Sequence, residues 1–136
     1  MKYFLIFSLF IGTLMANTSI DQRQQSMQNF KNHMKTANNL IKEGSINEEL
    51  VGVYDQIAKL MIEYPTLFPE NSFEGKTRAS TNIIEERSKF NQLAEDTVRQ
   101  ASIARSASLN KDMPALQQAH QNLFNSCKSC HSRYQK

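Results

Sequence analysis

Tryptophan is absent from this 136-residue sequence, and cysteine, proline and glycine are scarce, at two, three and four residues. Two cysteines are too few for a disulfide framework; one bridge is the most they allow. So few prolines and glycines leave long stretches with no helix breaker, and β-branched runs are scarce as well. Neither charge sign is blocked, because 16 Lys and Arg are interspersed with 13 Asp and Glu. The basic stripe of a nucleic-acid binder is missing, so no nucleic-acid partner is expected. No repeat or low-complexity block stands out, although glutamine is frequent.

What is present begins with Met1-Lys2-Tyr3, followed by an apolar run through Phe4–Ile11 to Met15, broken only by Ser8, Gly12 and Thr13. One positive charge, an h-region of about a dozen residues and the small Ala16 predict a secretory signal peptide over residues 1–16. The run is shorter than the roughly 20 apolar residues of a membrane-spanning helix, so an uncleaved anchor is the weaker reading. The mature domain is then 17–136, and without Lys2 its formal charge falls from +3 to +2.

Gln, Glu, Lys, Ala, Leu and Met are plentiful in the mature part and favour helix. The breakers divide it into four helical segments. The first is predicted from about Ile20 to Lys42, with Ser19 as N-cap and Gly44 just past its end. Its apolar face is Ile20, Met27, Phe30, Met34, Ala37 and Ile41. The second opens on a capping box, Ser45-Ile46-Asn47-Glu48. It carries the stripe Ile46, Leu50, Val53, Ile57, Leu60, Met61 and Tyr64, and Pro65 stops it. Residues 65–77 form a long connection, in which Leu67, Phe68 and Phe73 tuck against the core. The third helix spans Ala79 to Ser108, with Ile83, Phe90, Leu93, Ala94, Val98, Ala101 and Ala104 inward. The fourth starts at Asp112 as N-cap, takes Pro114 in its first turn, and runs through Leu116, Leu123, Phe124 and Cys127 towards Tyr134. The expected fold is all-α, an antiparallel four-helix bundle. A mature chain of this size can build its core without disulfide staples.

Both cysteines fall in Cys127-Lys128-Ser129-Cys130-His131, the attachment pattern of c-type haem. Two thiols add to the two haem vinyl groups, and the short helical spacer sets both sulfurs along one edge of the macrocycle. The adjacent imidazole is then held over the iron, which it binds through its neutral nitrogen. Three other uses of these residues compete. A Cys127–Cys130 disulfide is awkward at three-residue separation inside a helix. A thioredoxin-like dithiol needs a βαβ setting, and a structural zinc site needs further ligands, for which His33 and His120 lack paired spacing.

A motif of this kind at the end of the last helix of a bundle resembles the class II c-type cytochromes, the cytochrome c′ family. The resemblance covers the whole mature chain. It includes Arg23-x-x-x-Met27, the Leu-Phe-Pro loop at 67–69, Ile83-Ile84 leading to Phe90, and the terminal Ser126 to Tyr134. It implies one covalently bound haem c inside the bundle, with His131 as the proximal iron ligand and the first helix over the distal face. Arg23 would then lie near the haem edge, placed to pair with a propionate. Met27, one helical turn on, occupies the distal position, either as sixth ligand or as core packing. Gln135 departs from the family, which often has a basic residue four positions after the proximal histidine; Arg133 and Lys136 flank it.

The resemblance implies a periplasmic monohaem electron carrier, with redox proteins as partners and no enzymatic activity. The alternative is a five-coordinate haem protein that binds nitric oxide or carbon monoxide at a vacant distal site. A peroxidase would need distal acid–base groups, and Arg23 is the only candidate. Lys128 is expected to face solvent beside the haem edge. His120 is expected to be half-buried and hydrogen-bonded, and His33 exposed. Leu40, Val51 and Ile62, outside the helical stripes, permit a homodimer.

Overall fold

The helix-forming composition and its apolar periodicity place four long helices side by side in the computed structural model. It describes residues 2–136, with side chains from Thr18 onward. The helices are α1 (Lys2–Lys42), α2 (Glu48–Glu63), a 3-10 turn (Tyr64–Leu67), a short α3 (Asn82–Glu85), α4 (Arg87–Leu109) and α5 (Met113–Tyr134). Among the described residues there is no strand, only an antiparallel bridge between Ala79 and Gln135. No helix among them is long and apolar enough to cross a membrane. The side chains of the expected signal segment, residues 1–16, lie outside those described.

The helix ends follow local chemistry. Gly44, at φ +69°, closes α1 with a paired turn: Gly44 N–H donates to the Ile41 carbonyl (3.0 Å) and Ser45 N–H to the Leu40 carbonyl (2.8 Å). Ser45 therefore belongs to the end of α1, and the capping box expected of it does not form. Asn47 caps α2 instead, its Oδ1 accepting from Leu50 N–H at 3.0 Å. Asp112 caps α5 as expected, accepting from Ala115 N–H at 3.1 Å, with Pro114 in the first turn. Two further expectations are corrected. Ser19 is not an N-cap, because α1 runs through it. The helix expected over 79–108 is broken at Glu86 (φ −113°, ψ 33°), which separates α3 from α4.

α4 is the centre of the packing, with α2 and α5 against it. Beyond Phe90 its buried side is small (Ala94, Ala101, Ala104, Ala107, with Thr97 and Ser108), so its neighbours approach closely. Leu50, Tyr54 and Ile57 of α2 and Leu116 and Leu123 of α5 are fully buried there. A second cluster joins the connection to the helix ends: Phe68, Phe73, Ile83, Phe90 and Tyr134. Phe90 stands edge-on to Phe68 (4.9 Å between centroids) and to Tyr134 (5.2 Å). α1 rests on α2 and on the 3-10 turn and barely touches α5.

Candidate cofactor site

The gap between α1 and α5 is a cavity of about 710 Å³, within the range of small-molecule and cofactor pockets. It collects residues that the sequence singled out from both ends of the chain: Arg23 and Met27 from α1, Cys127, Cys130 and His131 from α5. Phe68, Phe90 and Tyr134 line its apolar wall, and Thr97 and Arg78 also border it. Thr97 and Arg78 were not foreseen. Lys128 is exposed at the cavity, its ammonium 5.8 Å from the Phe124 ring centroid. Phe124, expected to continue the buried face of α5, is 51% exposed.

Helical spacing puts Cys127 and Cys130 on one side of α5, and both are free thiols. Burial raises both pKa values, that of Cys130 to about 11 with Cys127 adding to the rise. Neutral thiols of this kind are unlike the low-pKa pair of a redox dithiol. Among the described residues no group of three His, Cys, Asp or Glu is placed to hold a metal ion, which leaves the zinc reading without support. Partial burial, helped by the positive charge of Arg78, lowers the His131 pKa and favours the neutral ring. A neutral imidazole is the form that binds a metal.

Arg23 is 3% exposed, an unusual place for a guanidinium. Its Nη1 donates to the Leu67 carbonyl (3.3 Å) and Ser72 Oγ (2.8 Å); its Nη2 donates to the Ser72 carbonyl (2.5 Å) and Thr77 Oγ1 (2.7 Å). The cation also sits 4.7 Å from the Phe68 ring centroid. Arg23 thus ties α1 to the connection that walls the cavity. Its charge borders the cavity together with Lys31, Arg78 and Lys128, and no carboxylate is among the described lining residues.

His120 lies away from the cavity, half-buried, with Nδ1 3.0 Å from Tyr54 Oη, as the sequence suggested. His33 is half-buried rather than exposed, and does not line the cavity.

The whole described bundle matches one family model, that of cytochrome c′, over residues 18–135. The chain belongs to the cytochrome c′ family. This family carries covalently attached haem c, so the chain is a haem protein. The fold agrees with solved cytochrome c′ structures. That of Shewanella frigidimarina is 22% identical, with a TM-score of 0.79 over 89% of this chain and 96% of the other. A nitric oxide complex of a mutant cytochrome c′ from Alcaligenes xylosoxidans is 18% identical, with a TM-score of 0.78 over 89% and 96%. A cytochrome c′ described as having ligand-controlled dimer dissociation is 17% identical, with a TM-score of 0.76 over 88% and 95%. No curated protein sequence matches the chain. The cavity suits the family's cofactor: two thiols and an imidazole on one side, an apolar wall, and cations for a dianionic group.

Proposed function

We propose that this cytochrome c′ is an exported, periplasmic monohaem electron carrier rather than an enzyme. One observation carries the reading: a single cavity has Cys127, Cys130 and His131 of α5 on one side and Met27 of α1 on the other. When bound, haem c supplies a reversible one-electron change at iron. Cys127 and Cys130 would hold it covalently, and His131 would offer a neutral nitrogen to the iron. Met27 presents a thioether from the opposite helix, a ligand that favours the reduced iron. The terminal nitrogens of Arg23 are engaged by the 67–77 connection, so this residue is poorly disposed to act as a distal acid. That favours electron transfer over peroxide chemistry.

The likeness to a protein solved as a nitric oxide complex favours a second reading, a five-coordinate haem that takes nitric oxide or carbon monoxide. The ligand-controlled dimer of another similar structure brings self-association into view as well. Ile62 of α2 is 65% exposed, and Leu40 and Val51 are half-buried, which suits a homodimer through α1 and α2.

The visible spectrum of the holoprotein, oxidised and reduced, with and without carbon monoxide, separates the two readings. A low-spin spectrum with a sulfur-to-iron charge-transfer band, unmoved by the gas, is expected. A high-spin spectrum that shifts with the gas gives the site to gas binding. In Met27→Ala the charge-transfer band disappears; spectra identical to wild type remove Met27 from the ligand set. Cys127→Ser/Cys130→Ser protein is expected to lose haem staining on a denaturing gel.

A further inference from the structure

We propose that Glu86, at the break between α3 and α4, is a positioning residue for His131: it grips the last turn of α5 and so sets how the imidazole is presented to the cavity. This rests on the reading of His131 as the axial ligand.

Glu86 occupies the N-cap position of α4, yet its side chain caps nothing there. Its backbone serves both helices, N–H donating to the Asn82 carbonyl (2.9 Å) and carbonyl accepting from Phe90 N–H (2.9 Å). The carboxylate instead crosses to α5. Arg133 Nε donates to Oε2 (2.6 Å) and Nη2 to Oε1 (2.8 Å), a two-pronged pairing, and Tyr134 Oη donates to Oε2 (3.1 Å). These donors lie two and three residues beyond His131, on the same turn. The turn is also held by backbone pairing, Ser80 N–H to the Tyr134 carbonyl and Lys136 N–H to the Arg78 carbonyl, both 2.8 Å. The backbone pairs hold this turn against residues 78–80. Two planar prongs and a phenol on one carboxylate add a side-chain restraint on rotation about the helix axis. The neighbouring Arg87 donates to the Phe68 carbonyl (2.6 Å), so the same corner also holds the cavity's apolar wall.

The pair is half-exposed, with side-chain exposures of 36% for Glu86 and 51% for Arg133, and such pairs add little to stability. Stability and ligand geometry therefore respond differently when it is broken. The test is paramagnetic NMR of the holoprotein labelled at its three histidines, compared with Glu86→Gln and Arg133→Gln. In wild type the His131 ring resonances should be hyperfine-shifted, while those of His33 and His120 should not. Both variants should displace the His131 resonances with little change in Tm, and the double variant should go no further than either single one. His131 resonances that stay in place in both variants overturn the proposal. Wild-type protein in which His131 is not hyperfine-shifted overturns the ligand assignment beneath it. Should Glu86→Gln fail to fold, Arg133→Gln alone decides.

Discussion

Arg23 lines the cavity as its spacing from Met27 suggests, yet its hydrogen-bond partners were unforeseen. Its position one turn before Met27 was legible from spacing, and both residues do face the cavity. Its hydrogen bonds to Ser72 and Thr77 were not, because those residues lie 49 and 54 positions away in a connection with no periodicity to read. Removing the guanidinium in Arg23→Met strands the Leu67 and Ser72 carbonyls. Hydrogen bonds to a charged group contribute about 1.5–3 kcal/mol, and a stability loss of that order is expected in urea titration of the holoprotein. His120 makes a pH-dependent contribution. Burial lowers its pKa below the ordinary imidazole value of about 6.5. As pH falls through that value the unfolded chain takes up a proton that folded His120 still refuses, so stability declines. His120→Gln should lack this part of the acid decline, read as a smaller drop in Tm between about pH 7 and pH 5.

The helices were legible wherever a local rule decides a boundary. Gly44 and Asp112 with Pro114 end and begin helices where their backbone chemistry requires, whereas at Pro65 the chain stays helical, as a 3-10 turn that runs to Leu67. Gly44→Ala forces a side chain into the left-handed region at φ +69°, and a loss of about 1 kcal/mol is expected from thermal melts. The misread boundaries have two causes. Ser45-x-x-Glu48 is a sound capping box by sequence, but Ser45 N–H is already bound to the Leu40 carbonyl, so the cap passes to Asn47. The stretch 79–108 contains no proline or glycine, and nothing local marks Glu86 as a break. The partner of its side chain there is Arg133, 47 residues on, which also keeps its carboxyl below the ordinary pKa range. At Ser45 one local rule displaced another, the turn that closes α1 taking the place of a capping box; at Glu86 the partner lies in a distant segment that spacing does not show.

At the scale of the molecule, the bundle has two unequal parts. α2, α4 and α5, joined by Phe30 and Ala37 of α1, share a continuous core around Leu50, Tyr54, Ile57, Leu116 and Leu123. α1 from Ile20 to Met34 packs on α2 along one edge and otherwise faces the cavity. It is fastened there by Arg23 to the 67–77 connection and by Gln24 Nε2 to the Lys76 carbonyl (2.7 Å). A cofactor held covalently on α5 and covered by α1 would join the two parts, so its removal should cost the halves unequally. Amide exchange of Cys127→Ser/Cys130→Ser protein checks this against holoprotein. Protection should fall first along residues 20–34 and the connection, while α2 and α4 keep theirs. A uniform loss across all four long helices would mean that the cofactor supports the whole core. Intact protection in α1 would mean that its contacts with α2 and the connection already suffice. The unequal pattern is expected because, among the described residues, α1 makes no close approach to α4, the helix on which α2 and α5 both rest, and meets α5 mainly across the cavity.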